Sequence, residues 1–123
     1  MNGRVSERFS KGMRLTKRSD YLRVQRLGMR VQSRGFIGLV LQDTPGEARI
    51  GITTTKRLGN AIVRNRIKRL VREAFRRGKM KIPSQTNLVV IAKHRAASLT
   101  NSEIFSDLYT LGERVARLVG KSS

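Results

Sequence analysis

Between residues 60 and 77, apolar side chains return every three or four positions. Val63, Ile67, Leu70, Val71 and Ala74 fall at i, i+4, i+7, i+8 and i+11, which is one stripe along a helix. The spacing predicts a helix over 60–77, with Asn60 as its N-cap and Gly78 as its stop. A second periodic stretch follows Thr100, which stands in capping-box spacing to Glu103. Phe105, Leu108, Leu111, Val115, Leu118 and Val119 make its core face. β-branched and apolar runs mark 35–41, 49–55 and 87–93 as strands, the last apolar enough to be central. Asp43-Thr44-Pro45-Gly46 carries turn chemistry, so the first two strands are expected as an antiparallel pair. Before them, Ser19 suits the N-cap of a short helix to Leu27, stopped by Gly28, with Tyr21, Leu22 and Val24 on a partly buried face. The order is helix, strand, strand, helix, strand, helix. It predicts one mixed α+β domain over 14–120, preceded by a basic flexible tail over 1–13.

Composition narrows what this domain can be. Its 123 residues suit a single domain with one modest core, and with no Trp and 5% aromatics that core must be aliphatic. The absence of cysteine excludes disulfides, thiolate zinc sites and cysteine nucleophiles, and fits a reduced cytoplasm. No stretch approaches the ~20 apolar residues of a membrane-spanning helix. No membrane partner is expected.

Charge changes the picture most. There are 27 Lys and Arg against 8 Asp and Glu, a net charge of +19. Like charges at this density repel one another unless a polyanion neutralises them. Residues 56–81 hold 11 of the 27 cations, with Glu73 as their only acid. On the predicted helix, Arg64, Lys68, Arg69, Arg72 and Arg76 share a face with Asn65, away from the apolar stripe. A solvated face normally mixes signs; here the expectation is polyanion contact without compensation. Lys56-Arg57-Leu58-Gly59-Asn60 leads into the helix N-terminus, whose free N–H groups and dipole attract phosphate. Arg64 and Arg66 can grip phosphate or a base edge bidentately, and Asn65 can meet a 2′-hydroxyl.

The same segment carries a family resemblance. Lys56-Arg57-Leu58-Gly59-Asn60-Ala61, followed by Arg64-Asn65-Arg66-Ile67-Lys68-Arg69-Leu70-Val71-Arg72-Glu73-Ala74-Phe75, resembles the signature of the bacterial ribonuclease P protein. Arg14-Leu15, Asp20-Tyr21, Val24, Gly28, Arg30, Gly51, Thr53-Thr54-Thr55 and Ile91-Ala92 follow that family's order, so the likeness spans about residues 13–119. It implies an α/β sandwich with a left-handed βαβ crossover, whereas such connections are right-handed in ≈ 98% of cases. It implies a subunit that helps a catalytic RNA remove the 5′ leader of precursor tRNA, with Mg2+ acting through the RNA and none bound tightly by the protein. The expected partners are that RNA and precursor tRNA, with no DNA. Carried over by motif, Lys56, Arg57, Asn60, Arg64, Asn65, Arg66, Lys68, Arg69 and Arg72 face the catalytic RNA. Tyr21, Val24, Phe36 and Thr53 line a leader cleft between the first helix and the sheet. A core role for Phe36 stands beside that reading. Gln25 and Leu39 replace aromatics common in the family, which implies weaker stacking on leader bases.

Nothing in the chain points to catalysis by the protein itself. His94 is the single histidine and is expected as a solvated loop residue rather than an acid–base group. The eight acids form no cluster suited to a metal pair. The competing readings are a non-enzymatic ribosomal-type RNA-binding protein and a DNA-binding architectural protein. The latter is disfavoured by the lack of helix-turn-helix spacing or zinc ligands.

Overall fold

A computed structural model of the chain describes residues 14–15, 17–42 and 46–122. The expected tail over 1–13 and turn residues 43–45 lie outside them. In chain order the elements are α1 (Arg18–Leu27), β1 (Met29–Gln32), β2 (Phe36–Leu41), β3 (Arg49–Thr53), a 3-10 turn (Lys56–Leu58), α2 (Ala61–Arg76), β4 (Asn87–Ala92), a second 3-10 turn (His94–Ser98) and α3 (Asn101–Ser122).

The four strands form one open sheet in the order β1-β2-β4-β3. β1 and β2 pair antiparallel, β2 and β4 pair antiparallel, and β3 lies parallel to β4. The expected antiparallel pair of β2 and β3 is therefore incorrect, since β4 lies between them. The reason is burial. Leu88, Val89 and Val90 are wholly buried, so β4 needs a strand on each side, and that outweighs the local turn signal. β1 escaped the sequence reading because Met29–Gln32 is short and largely exposed.

The core lies on one face of the sheet. There α2 contributes Ile67, Leu70, Val71 and Ala74, and α3 contributes Ile104, Leu108, Leu111 and Val115, against Phe36, Val40, Ile50, Leu88 and Val90. The predicted stripe of α2 is the observed one, with Val63 at its partly buried end. In α3 Leu108, Leu111, Val115 and Val119 are buried as expected, but Ile104, absent from the predicted face, is fully buried while Phe105 and Leu118 are only partly so. Asn60 caps α2 as expected, its side-chain oxygen accepting from the Val63 amide at 3.1 Å. Gly78 ends it at φ +74, with Gly78 and Lys79 amides donating to Phe75 and Ala74 carbonyls, a Schellman closure that favours glycine. At α3 the capping box is reciprocal. The Thr100 amide donates to Glu103 at 2.8 Å, and the Glu103 amide donates to the Thr100 hydroxyl at 3.1 Å. α1 departs from expectation at its start: Lys17, not Ser19, is the cap residue, and its side chain makes no cap bond.

α3 also fixes the β1–β2 turn, a link invisible in the sequence. Asp107 accepts from the Ser33 hydroxyl and from the Arg34 and Gly35 amides at 2.8–3.0 Å. Arg34 pairs with Glu103 at 3.2 Å.

Candidate nucleic-acid interface

The second face of the sheet is covered only in part. α1 packs there through Val24, which is buried with Leu15 and Val89, and Tyr21, Leu39, Leu41 and Ile91 pack around them. The close approach of α1 depends on two glycines. A Cβ on Gly28 would stand 2.4 Å from the Val24 carbonyl oxygen, and one on Gly51 would stand 2.4 Å from the Tyr21 ring. Tyr21 thus packs directly against β3, and its hydroxyl accepts from the Ile52 amide at 3.1 Å. Arg14-Leu15 adds a parallel bridge at Ile50, with the Leu15 amide donating to the Ile50 carbonyl at 2.9 Å. This covers part of the β3 edge.

Beyond α1 one row of the sheet stays open. Registers align Gln32 with Ile37, Ile37 with Ile91, and Ile91 with Thr53, and paired positions share a face. All four are half-buried or exposed. With strands about 4.8 Å apart, the row is about 14 Å wide, with two isoleucines in the middle and polar side chains at either end.

These positions correct two of the expected cleft residues. Phe36 is fully buried on the opposite face, in the core with α2 and α3; its neighbour Ile37 occupies the open row instead, by the alternation of a strand. Val24 is fully buried too, so it anchors α1 and does not line a surface. Tyr21 and Thr53 stand half-buried at the open face. Gln25 is exposed on α1, and Leu39 lies under that helix.

α2 brings its cations to the β3 side. Lys68 and Arg72 line a cavity of about 120 Å³ together with Arg14, Tyr21 and Gly51, so the cleft and the cationic helix meet along β3. Lys56, Arg57, Asn60, Asn65, Arg69 and Arg72 are exposed; Arg64, Arg66 and Lys68 are half-buried. Among the described residues two buried side-chain atoms lack a hydrogen-bond partner, Arg64 Nε and Thr54 Oγ1. They belong to the first turn of α2 and the segment leading to it. Buried polar atoms are nearly always bonded, so these two are exceptions at the entry to α2. Thr54 was not among the expected site residues; only its place beside Thr53 hinted at it.

Two arginines differ from expectation. Arg76 is compensated, at 2.6 Å from Glu73, which also pairs with Arg77 at 3.1 Å. The Arg76 hydrogen bond in particular holds the Glu73 carboxyl below its ordinary range. Arg66 turns inward. Its guanidinium donates to the Asn101 side chain at 2.6 and 3.0 Å and to the Leu99 carbonyl at 2.9 Å, tying α2 to the start of α3. Arg64, Lys68 and Arg69 make no ion pair among the described residues. His94 is exposed, but its Nδ1 lies 2.9 Å from the Arg57 carbonyl oxygen and so holds the segment before α2. Among the described residues no group of three or more His, Asp or Glu side chains could hold a metal ion. None of their helices is long and apolar enough to cross a membrane.

An open apolar row bordered by basic side chains defines a basic α+β domain of the nucleic-acid-binding class. The comparisons resolve that class further. The sequence model described as Ribonuclease P matches residues 9–116. A ribonuclease P protein component of Desulforapulum autotrophicum is 40% identical over 112 residues, covering 91% of this chain and 96% of the relative. Among solved structures, the RNase P protein of Staphylococcus aureus superposes with a TM-score of 0.75 at 33% identity, covering 89% of this chain and 96% of that one. The RNase P protein of Thermotoga maritima also gives 0.75, at 31% identity, covering 82% of this chain and 96% of that one. This chain belongs to the ribonuclease P protein family.

Proposed function

We propose that the chain is the protein component of ribonuclease P, assisting a catalytic RNA in removing the 5′ leader of precursor tRNA in the cytoplasm. The observation that carries this reading is the juxtaposition along β3 of the cationic helix α2 and the open sheet row. Lys56, Arg57, Asn60, Arg64, Asn65, Lys68, Arg69 and Arg72 meet the phosphates and hydroxyls of the catalytic RNA. Arg66 supports that face by holding α2 against α3. The leader lies across Thr53, Ile91 and Ile37 beside Tyr21, its bases over apolar side chains and its phosphates toward the cations at the border.

Cleavage belongs to the RNA, with Mg2+ bound there. The protein side chains at the interface are donors and apolar surfaces, without a paired base and nucleophile. Their contribution is to neutralise phosphate repulsion between the two RNAs, which lowers the metal concentration needed for their association.

Reconstitution tests this. Protein freed of RNA should leave precursor tRNA intact, whereas protein with the catalytic RNA should remove the leader at lower Mg2+ than the RNA alone. Specific cleavage by RNA-free protein would overturn the reading.

A further inference from the structure

The open row has a second end, at β1, and cations gather there as well. Arg30 and Gln32 of β1 border a groove of about 470 Å³ with Arg114, Arg117 and Leu118 of α3. Residues 114, 117 and 118 are spaced i, i+3, i+4, so they share one helix face. Arg114 donates to the Gln32 carbonyl oxygen, which fixes the end of the row to α3. Arg30, Arg114 and Arg117 are exposed and make no ion pair among the described residues. Glu113, one turn before Arg117, pairs with none of them. Three arginines converge here on an edge strand, at the opposite side of the sheet from α2.

The registers decide what this cluster meets. Arg30 pairs with Leu39 and Gln32 with Ile37, so both side chains rise on the α1 face, the face of the open row. Arg114 and Arg117 come from the other side of the sheet and reach the same edge. A single strand laid across Thr53, Ile91 and Ile37 leaves the sheet over β1 and enters this groove. Apolar floor with cations at both borders suits single-stranded nucleic acid, whose bases and phosphates part to opposite sides. A second protein strand would meet uncompensated like charge along the same edge, which disfavours pairing there.

We propose that Arg30, Arg114 and Arg117 bind phosphates of the precursor's leader, at nucleotides remote from the cleavage point, a reading that rests on the leader cleft proposed above. The cluster then sets how much of a long leader contributes to affinity. It carries no base-specific group beyond Gln32, so it acts on leader length rather than leader sequence.

The test uses the holoenzyme, reconstituted from full-length protein and catalytic RNA, and two precursor tRNAs with a short and a long leader. The variant is R30Q/R117Q, because neither guanidinium bonds to another of the described residues, while Arg114 is kept to hold Gln32. Wild type should bind the long-leader precursor more tightly, and the variant should lose that advantage while keeping its short-leader affinity and its affinity for the catalytic RNA. The log–log salt slope for the long leader should become shallower by about 1.4, or about 0.7 for each single-strand phosphate contact removed. A variant that keeps the long-leader advantage overturns the assignment, as does one that loses affinity for the catalytic RNA alone. Wild type without any leader-length dependence would instead remove the leader cleft itself, an outcome read from the wild-type arm without the variant.

Discussion

On one face of the sheet, α2 and α3 bury Ile67, Leu70, Val71, Leu108, Leu111 and Val115 almost completely; on the other, the ten residues of α1 bury Val24 with Leu15 and Val89. The two faces belong to the same four strands, yet one is a sealed core and the other is half open. Apolar burial supplies stability at roughly 25 cal/mol per Å², so most of the fold's stability resides in the α2–α3 layer. The α1 face gives up that contribution over one row of residues and keeps a surface that a ligand can occupy. A chain of net charge +19 can leave a face open only because the other face is well packed.

The largest expected effect tests this division directly. Leu108→Ala opens a cavity in the sealed layer and should cost about 2–5 kcal/mol in urea unfolding of the free protein. Its RNA-binding salt slope should be unchanged at temperatures where it is folded. Gly51→Ala acts on the other face, where the new Cβ displaces Tyr21. The open surface lets the ring move, so the stability cost should be smaller, about 1–2 kcal/mol. Affinity for the leader should nevertheless fall, while affinity for the catalytic RNA holds. Equal stability losses, or a leader defect in Leu108→Ala, would break the comparison.

Within α2 the same contrast recurs between two arginines three residues apart. Arg66→Ala removes the bonds to Asn101 and Leu99 and should cost on the order of 1 kcal/mol, reduced by partial exposure. Arg69→Ala, on the exposed side, should stay within about 0.5 kcal/mol of wild type. It should make the salt slope for the catalytic RNA shallower by about 0.7–0.9. Thermal melts and salt titrations of both variants separate a positioning arginine from one that meets phosphate. If both behave like Arg69→Ala, the inward guanidinium holds nothing.

Long periodic elements were legible in the sequence, because α2 and α3 repeat their apolar spacing over several turns and each has its own cap. The cationic segment was legible because no acid but Glu73 interrupts it. What failed depended on partners far along the chain. The turn at 43–46 is a local signal for a hairpin, but the pairing of β2 and β3 was decided by β4, about fifty residues beyond β2 and about forty beyond β3. Phe36 and Ile37 are both apolar, and only the register to Ala92 and Ile91 tells which is core and which is cleft. Arg66 reads like its neighbours until Asn101 is placed beside it. Arg114 and Arg117 drew no reading from the sequence, since nothing in their own segment shows β1.

The smallest expected effect concerns the rim of the sealed layer in acid. The Thr100 amide first, and Arg34 with it, hold the Glu103 carboxyl below its ordinary value of 4.5. A carboxylate favoured in its charged form contributes stability that is fully present above the unfolded value and is lost as pH falls through the lower folded one. Wild type should therefore lose a small increment below about pH 4.5 that Glu103→Gln never had, so their melting temperatures should converge on acidification. α2 offers the internal contrast, since its cap is the neutral side chain of Asn60, which does not titrate. Hydrogen exchange should show the amides at the start of α3 losing protection below pH 4.5, while those at the start of α2 keep theirs. Glu73 also lies below its ordinary range but sits at the far end of α2, so it should loosen the last turn and spare the first. Parallel loss of protection at both helix starts would show that acid acts on the whole layer at once, and the capping box would have no separate role.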